Sequence, residues 1–289
     1  MAPPDRSGAD REVTSERGPV HVVAEVLSVK KLGAFRHLTL VAPGVAERYR
    51  PGNFVAVSVG DGPSRGLLAR RSFWIHRVRP TGSHGATIEL VVEPTGVGST
   101  WLAGLSQGDR VELTGPLGRP FAQPKEPVTC LLVGEGYAAA PLFPLVERLR
   151  ERFCVVTMLL GAPDEQHLFG ALEARRSVTE VKVVTADGSV GTKGTIAQVV
   201  GEVVQKVEAD VVYATGSRET LHAAALAAEE QGAWSQTALE VAQPCATGLC
   251  HGCAVPVVGE DGVGRRVRAC ADGPVFRGDR VQWAELGVS

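Results

Sequence analysis

The sequence has no surplus of charge and no long apolar run. Thirty Lys and Arg residues against 32 Asp and Glu residues give a formal net charge of −2, which argues against a nucleic-acid partner. No stretch approaches the roughly 20 consecutive apolar residues that a membrane-spanning helix needs, so no membrane span is expected. Residues 1–19 are polar and lack the apolar segment of a secretory signal. We therefore expect a disordered tail and a cytoplasmic protein.

Aromatic residues are scarce, at 5% of the chain, whereas glycine is abundant, with 34 residues. The abundance of glycine indicates many turns and close backbone approaches. Hydrophobic residues still make up 44% of the 289 positions. A chain of this length and composition has enough material for two cored domains and a smaller appendage.

Cysteine is also infrequent, with six residues, but four of them fall between residues 240 and 276. These four are Cys245, Cys250, Cys253 and Cys270, spaced as C-x4-C-x2-C followed by a fourth cysteine after sixteen residues. The first three match the ligand run of plant-type [2Fe–2S] proteins, whose fourth thiolate comes from a separate segment. Gly248 and Gly252 lie between the cysteines and allow the backbone to curl around a cluster.

Two alternatives to a cluster, disulfides and structural zinc, agree less well with the sequence. Two disulfides are possible, but nothing else in the sequence indicates an oxidising compartment. A structural zinc site usually shows two short cysteine pairs, and Cys270 has no near partner in sequence. His251 is interpreted as a loop residue, since a Rieske-type cluster needs two histidines. The spacing therefore favours a [2Fe–2S] cluster, with zinc second.

Residues 20–124 have the pattern of an antiparallel β-barrel. Six short runs rich in Val, Leu, Ile or Phe are separated by Gly and Pro, without a helical period. The runs are HVVAEVLSV, HLTLVA, NFVAVSV, SFWIHRV, ATIELVV and RVELTG.

Residues 125–235 alternate between strand and helix patterns. The four predicted strands are VTCLLVGEG, CVVTMLLGA, EVKVVTAD and DVVYATGS, each followed by a helical segment. This alternation predicts a Rossmann-like parallel sheet that binds ligands at the carboxyl ends of its strands. Residues 236–289 then form a cluster subdomain, so we predict a multidomain β and α/β chain.

Several short motifs occur in order along these regions. They are RRSFW at 70–74, GVGSTWL at 96–102, GPLG at 115–118, GEGYAAAPL at 134–142, TADGSVGTKG at 185–194 and DGPVF at 272–276. Together with the cysteine run, they resemble the ferredoxin-reductase superfamily and, within it, the electron-transfer subunits of NAD-linked, two-component dihydroorotate dehydrogenases. The resemblance extends from about residue 20 onward. It implies bound FAD, a [2Fe–2S] cluster, NAD(P) as co-substrate, and an FMN-containing catalytic subunit as partner in a hetero-oligomer.

The resemblance places the flavin on the barrel. The implied flavin-binding residues are Arg71, Ser72, Phe73, Trp74, Leu90, Val91, Val92, Gly98 and Ser99. Arg71 matches the arginine that pairs with the FAD pyrophosphate in relatives, a suitable role for a guanidinium group. Gly98 and Ser99 stand at a helix start whose backbone N–H groups suit a phosphate. Trp74 replaces a small hydroxyl residue. It stacks on the flavin ring, fills the space of the ring, or packs in the barrel core.

The resemblance places the nucleotide at the glycine-rich turn that contains Gly134 and Gly136. Glu135 and Ala138 replace glycines of the family there, and Thr215 replaces a cysteine near the nicotinamide site. A carboxylate next to a phosphate-binding turn opposes a dinucleotide unless it points away. This segment is therefore either a nucleotide site or a turn that only preserves the fold.

The expected function is electron transfer between a partner dehydrogenase, a [2Fe–2S] cluster, FAD and NAD. No catalytic side chains are predicted, and the chain alone is not expected to oxidise dihydroorotate. One alternative is a ferredoxin- or hydrogenase-type NAD(P)H:acceptor reductase subunit. Another is a cluster-bearing, partner-binding subunit with impaired flavin or nucleotide binding, because several family positions are altered.

Overall fold

The structure is a computed structural model that describes residues 18–60 and 67–288. The predicted disordered tail lies outside the described residues, apart from positions 18 and 19. Within the described part of the chain, no helix is both long enough and apolar enough to cross a membrane.

The N-terminal part is a closed antiparallel barrel, as predicted. Its strands are β1 (Val20–Leu32), β2 (Phe35–Val41), β3 (Phe54–Val57), β4 (Arg71–Arg79), β5 (Thr87–Val92) and β6 (Arg110–Leu117). They pair in the order β1-β2-β5-β4-β3-β6. Alternate residues point inward, so that Leu38 and Leu40 of β2 are fully buried in the barrel core. A short helix, α1 (Val97–Ala103), follows β5.

The middle part contains the predicted parallel sheet with its helices. Its first strands and helices are β7 (Thr129–Glu135), α2 (Leu142–Glu151), β8 (Val155–Ala162), α3 (Ala171–Ser177), β9 (Glu180–Thr185), β10 (Thr192–Lys193), α4 (Ile196–Val207), β11 (Val211–Thr215), α5 (Arg218–Glu230) and β12 (Trp234–Ala238). A short 3-10 helix, Gly136–Ala139, lies between β7 and α2. Strands β7, β8, β9 and β11 are the four that the alternating pattern predicts.

The C-terminal part is joined to this sheet. Strand β15 (Val275–Arg277) pairs antiparallel with β12, which gives the sheet order β10-β9-β8-β7-β11-β12-β15. A separate hairpin consists of β13 (Ala254–Val258) and β14 (Gly264–Arg268). The boundary expected between residues 235 and 236 falls inside β12, because β12 continues the ladder from β11. The weak periodicity after residue 234 had indicated neither β12 nor β15.

One continuous apolar core connects the three parts. Phe54 and Trp74 from the barrel belong to the same cluster of buried residues as Leu142 of the α/β domain. Ala246 and Cys253 from the cysteine segment belong to it as well. The three parts are therefore packed against one another, and sites can form where they meet.

Candidate functional site

A cavity of about 580 Å³ lies where the barrel, helix α1 and the segment before the first cysteine meet. Its volume is in the range of roughly 300–1,000 Å³ that small-molecule sites usually have. The lining residues from these three elements include Phe54, Arg70, Arg71, Ser72, Phe73, Trp74, Gly96, Gly98, Ser99, Leu239, Glu240, Gln243 and Pro244. Six of the nine predicted flavin residues therefore line one cavity.

Arg71 and Gly98 are packed against each other at this cavity. A Cβ atom added at Gly98 would lie 2.9 Å from Nε of Arg71, which is too close for two non-bonded atoms. The absence of a side chain at Gly98 therefore makes room for the Arg71 side chain in its present position. The Nη1 group of Arg71 donates to the Ala69 carbonyl oxygen at 2.6 Å. Ser99 Oγ accepts the N–H of Gly96 at 3.0 Å at the start of α1. This wall thus presents a held guanidinium group, a geometry that suits a diphosphate.

Trp74 forms another wall of the cavity. Its side chain is buried and meets Phe54 edge to face, with the ring centroids 6.5 Å apart. The indole N–H donates to the Glu240 carboxylate. On the same strand, Ser72 Oγ donates to Gln243 Oε1 at 2.9 Å. Strand β4 is therefore hydrogen-bonded to the segment that leads to the cysteines.

Leu90, Val91 and Val92 do not line this cavity. All three are buried in β5, where they pair with β2. The chain reaches the cavity only after it leaves the strand, at Thr95. The resemblance implies that this strand end offers backbone groups to the flavin, and this contact stays a prediction.

Glu240 is a residue of this site that the sequence analysis did not select. Its carboxylate accepts hydrogen bonds from Trp74 Nε1 and from the Tyr137 hydroxyl, the latter at 2.6 Å. It thereby connects the barrel, the glycine-rich turn and its own segment. Desolvation of the Glu240 carboxyl, together with the nearby Glu93 carboxylate, raises the pKa of Glu240. These effects outweigh the two hydrogen-bond donors, which lower the pKa. The residue as a whole is nevertheless solvent-accessible at the cavity. Its position five residues before Cys245 was the only signal in the sequence.

The four cysteines of the C-terminal run lie around a curled loop. Backbone N–H groups point at three of their sulfurs: Gly248 to Cys270 at 3.2 Å, Cys250 to Cys245 at 3.4 Å, and Gly252 to Cys250 at 3.3 Å. Gly248 has φ +84°, a backbone conformation that favours glycine. The loop thus directs amide dipoles toward the thiolates, as metal–thiolate sites do.

The thiols differ in their ease of ionisation. Burial opposes ionisation of Cys245, but the N–H groups of Cys250 and Thr247 outweigh it and lower the pKa of Cys245 to about 6. Burial and the neighbouring Cys253 raise the pKa of Cys270 to about 12. A bound cation would favour the thiolate form of both.

The donor set fits a two-iron cluster better than a single ion. Sγ of Cys253 and Sγ of Cys270 are 3.3 Å apart, close to the separation of about 3.8 Å expected for two thiolates on one tetrahedral ion. Among the described residues, no three of the four sulfurs lie within 4.8 Å of one another. The four thiolates therefore do not converge on one point, whereas two ions with two thiolates each would satisfy them.

The glycine-rich turn borders a second cavity, of about 390 Å³, which Gly136 and three carboxylates help to line. These carboxylates belong to Glu93, Glu135 and Glu240. Gly134 is explained by packing, since a Cβ atom there would lie 2.6 Å from the Cβ of Ala139.

The Glu135 carboxylate points to the start of helix α5. Its Oε2 accepts the N–H of Ser217 and the hydroxyl of Thr220, both at 2.8 Å. A protein carboxylate thus uses donors at a helix N-terminus, where an anionic ligand could otherwise bind. This internal pairing explains how the chain tolerates an acidic residue in the turn.

A family model described as the iron-sulfur cluster binding domain of dihydroorotate dehydrogenase B matches residues 244–282. The match begins just before Cys245 and includes all four cysteines of the run.

Among solved structures, the chain is similar to one described as an NADH-dependent reduced ferredoxin-NADP oxidoreductase. The TM-score is 0.78 at 28% identity, over 92% of this chain and 91% of that one. A ferredoxin reductase of carbazole 1,9a-dioxygenase matches with a TM-score of 0.62 at 21% identity, over 74% of this chain and 67% of that one. The second likeness supports the fold only.

Curated relatives match nearly the whole chain. The dihydroorotate dehydrogenase B (NAD(+)) electron transfer subunit of Desulforamulus reducens is 32% identical over 84% of this chain and 90% of its own length. A homolog of that subunit from Thermotoga maritima is 30% identical over 85% of this chain and 82% of its own length. At this identity and coverage, the chain belongs to the family of dihydroorotate dehydrogenase B electron transfer subunits.

Proposed function

We propose that this chain carries electrons between NAD and a partner dehydrogenase by means of FAD and a [2Fe–2S] cluster. The observation that carries the proposal is the position of the segment 239–244. It lines the 580 Å³ cavity and continues directly into Cys245. Gln243 and Cys245 are two residues apart, so their Cα atoms are separated by at most about 7 Å. A flavin in the cavity would therefore lie next to a cluster on the cysteine loop.

The residues proposed to hold the FAD divide into two groups. Arg71 binds the pyrophosphate, together with the backbone at Gly98 and Ser99. Ser72, Phe73 and Trp74 border the ring system. The FAD supplies exchange of electron pairs with a nicotinamide and of single electrons with a cluster. The chain itself positions these groups through the Trp74–Glu240–Tyr137 hydrogen bonds.

The cluster ligands are proposed to be Cys245, Cys250, Cys253 and Cys270. Cys250 and the neighbouring Leu249 are exposed, the latter by 83%. An exposed apolar side chain next to the cluster suits contact with a protein partner. The relatives are named as electron transfer subunits of dihydroorotate dehydrogenase B, which supports the catalytic subunit of that enzyme as the partner. By the resemblance of the sequence motifs, we propose that this partner contains FMN and that the two subunits form a hetero-oligomer.

NAD is proposed to bind near Gly136, at the carboxyl end of β7. The location follows the general rule for parallel sheets. Glu135 weighs against tight binding, because its carboxylate already uses donors at the start of α5. A weak nucleotide site therefore fits these contacts better than a tight one.

A second candidate function is a ferredoxin-type NAD(P)H reductase subunit. The likeness to the NADH-dependent reduced ferredoxin-NADP oxidoreductase favours it, since the match covers more than nine tenths of both chains. The two candidates share the FAD and cluster sites and differ only in the protein that exchanges electrons with the cluster.

The test begins with anaerobically purified chain and its absorption spectrum before and after NADH. Flavin and cluster bands that both bleach on addition of NADH are expected. Cluster absorption without releasable FAD would contradict the flavin proposal. The chain is then mixed with the dihydroorotate dehydrogenase catalytic subunit, dihydroorotate and NAD, or with ferredoxin and NADH. NADH formation in the first mixture supports the proposed partner, whereas ferredoxin reduction alone supports the second candidate.

We also propose a cytoplasmic location. None of the six cysteines is paired in a disulfide, and thiolate ligands of a cluster are maintained in a reducing compartment. Subcellular fractionation with an antibody to the chain would test this. Recovery from an oxidising compartment would contradict it.

A further inference from the structure

A third cavity, of about 770 Å³, lies between the barrel and the α/β domain. It shares no lining residue with the flavin cavity or with the cavity at the glycine-rich turn. His37 and His76 from the barrel line it, opposite Phe169 and Glu173. The proposed electron transfer does not use any of these residues.

Three adjacent barrel strands bring side chains together beside this cavity, and two of these side chains, His37 and His76, line it. His37 lies on β2, Glu89 on β5 and His76 on β4, and β5 runs between the other two. Side chains alternate along a strand, so His37 and Glu89 point outward while their neighbours Leu38 and Leu90 fill the barrel. The β4–β5 register shifts at His76, and such a bulge redirects a side chain.

The three groups are within reach of one cation. One ligand atom from each of His37, His76 and Glu89 lies within 4.8 Å of the other two. Nε2 of His37 is 3.1 Å from Oε2 of Glu89. Ligands in a tetrahedral shell with bonds near 2.1 Å are about 3.4 Å apart. Small side-chain rotations therefore complete the geometry.

The tautomer of His76 supports a ligand role. Its side chain is buried, and its Nδ1 lies 3.1 Å from the Ala140 carbonyl oxygen. Because a carbonyl can only accept, Nδ1 carries the proton and Nε2 of the neutral ring carries a lone pair. Nε2 lies 3.6 Å from Glu173 Oε2, a contact that a cation bound at Nε2 would replace. An imidazole whose other nitrogen donates to a backbone carbonyl is the usual arrangement of a metal-binding histidine.

We propose that His37, His76 and Glu89 bind a divalent transition-metal cation of the Zn²⁺ class. Two imidazole nitrogens and one carboxylate oxygen suit such a cation, whereas Mg²⁺ and Ca²⁺ prefer oxygen ligands alone. Glu173 is paired with Arg77, so the fourth position remains for water from the cavity. The cation fixes three barrel strands beneath the α/β domain.

The charge of the surroundings permits this cation. Arg77 pairs with Glu173, and Arg79 lies 3.9 Å from the Glu89 carboxylate. The Arg79 side chain is 70% exposed, and Lys30, Lys31 and Arg175, which line the cavity, are exposed as well. Water therefore screens the repulsion between these basic groups and a bound cation.

The test uses the full chain with its iron–sulfur cluster in place, stripped of adventitious metal with a chelator and then titrated with Zn²⁺. One Zn²⁺ per chain is expected, with an X-ray absorption shell of nitrogen and oxygen only. His76→Asn keeps a donor for the Ala140 carbonyl but lacks Nε2, and it should weaken Zn²⁺ binding at least about tenfold. His21→Ala is the matched control, because His21 is an exposed barrel histidine bonded to Thr114, and binding should not change.

Three results would overturn the proposal. They are absence of Zn²⁺ binding by the wild-type chain, unchanged affinity in His76→Asn, and a first shell dominated by sulfur at about 2.3 Å, which would place the ion on cysteines. If circular dichroism shows that His76→Asn does not fold, Glu89→Gln replaces it, with the same expected loss and the same criteria.

Discussion

The flavin cavity and the cavity at the glycine-rich turn share Glu240 but use their polar groups differently. In the flavin cavity, the partners of the Arg71 guanidinium within residues 18–60 and 67–288 are nearby backbone carbonyls, which leave its charge available to an anion. In the second cavity, Glu135 already occupies the donors at the start of α5. The same family pattern can therefore persist either as a site with unused donors or as a turn whose donors are satisfied internally.

The largest effect is expected on the cluster that is proposed to lie next to the flavin cavity. Cys250→Ser removes one of four proposed cluster ligands, and cluster absorption should be lost almost completely, because a hydroxyl is a poor substitute for a thiolate. Cys154→Ala is the control, since this buried cysteine lies outside the loop, and the cluster should remain. A full cluster spectrum in Cys250→Ser would contradict the ligand role of Cys250 and, with it, the proposed proximity of the flavin cavity and the cluster.

The next largest effect is expected on FAD affinity, through the guanidinium group of Arg71 in the flavin cavity. Arg71→Ala should weaken FAD binding about 10- to 100-fold, the loss expected for a charge-assisted contact to the pyrophosphate. Arg110→Ala, an exposed arginine elsewhere on the barrel, should bind FAD as the wild type does. Fluorescence titration of the stripped chain with FAD measures both. Equal affinities in the two variants would refute the role of Arg71.

A smaller effect should appear at the glycine-rich turn. Glu135→Gln removes a negative charge near the proposed pyrophosphate position, and NADH should bind about fivefold more tightly. Glu219→Gln, in the first turn of α5, is the control for general loss of acidity. Titration calorimetry distinguishes them. Unchanged affinity in Glu135→Gln would show that its pairing with α5 already cancels its charge, and the contrast between the two cavities would weaken.

The smallest effect concerns the residue that the cavities share. Because desolvation raises the pKa of Glu240 above the ordinary 4.5, ionisation of this carboxyl disfavours the folded state. Its contribution to stability is greatest below pH 4.5 and falls as the pH rises through the raised pKa. The melting temperature of Glu240→Gln relative to wild type should therefore rise by about 2 °C between pH 5 and pH 8. A difference that does not vary with pH would indicate a carboxyl with an ordinary pKa.

Much of the fold was predictable from local patterns. The period-two runs before residue 118 correspond to the six barrel strands, and the alternation after residue 128 corresponds to β7, β8, β9 and β11 with their helices. Periodicity works there because each strand buries one or both of its faces. Strand β12 escaped prediction because its sequence, WSQTA, is largely polar although most of it is buried. Strand β15 escaped because three residues are too few to show a period.

The candidate site was predictable only in part. Arg71, Gly98 and Ser99 were chosen from motifs and lie together at one wall, whereas Leu90, Val91 and Val92 lie outside the cavity. The direction of the Glu135 side chain could not be read from the turn sequence. The three groups of the proposed cation site carry no motif, because they come from three strands that become neighbours only when β5 pairs with β2 and β4.

By itself, the sequence determined the cysteine spacing, the alternation of barrel strands and the glycine-rich turn, since each of these depends on residues close together in the chain. Tertiary structure alone decided that Trp74 and Tyr137 would share the Glu240 carboxylate. These contacts join residues 166 and 103 positions apart. They form only after the barrel, the sheet and the cysteine segment have packed on one core, and no local pattern records that packing.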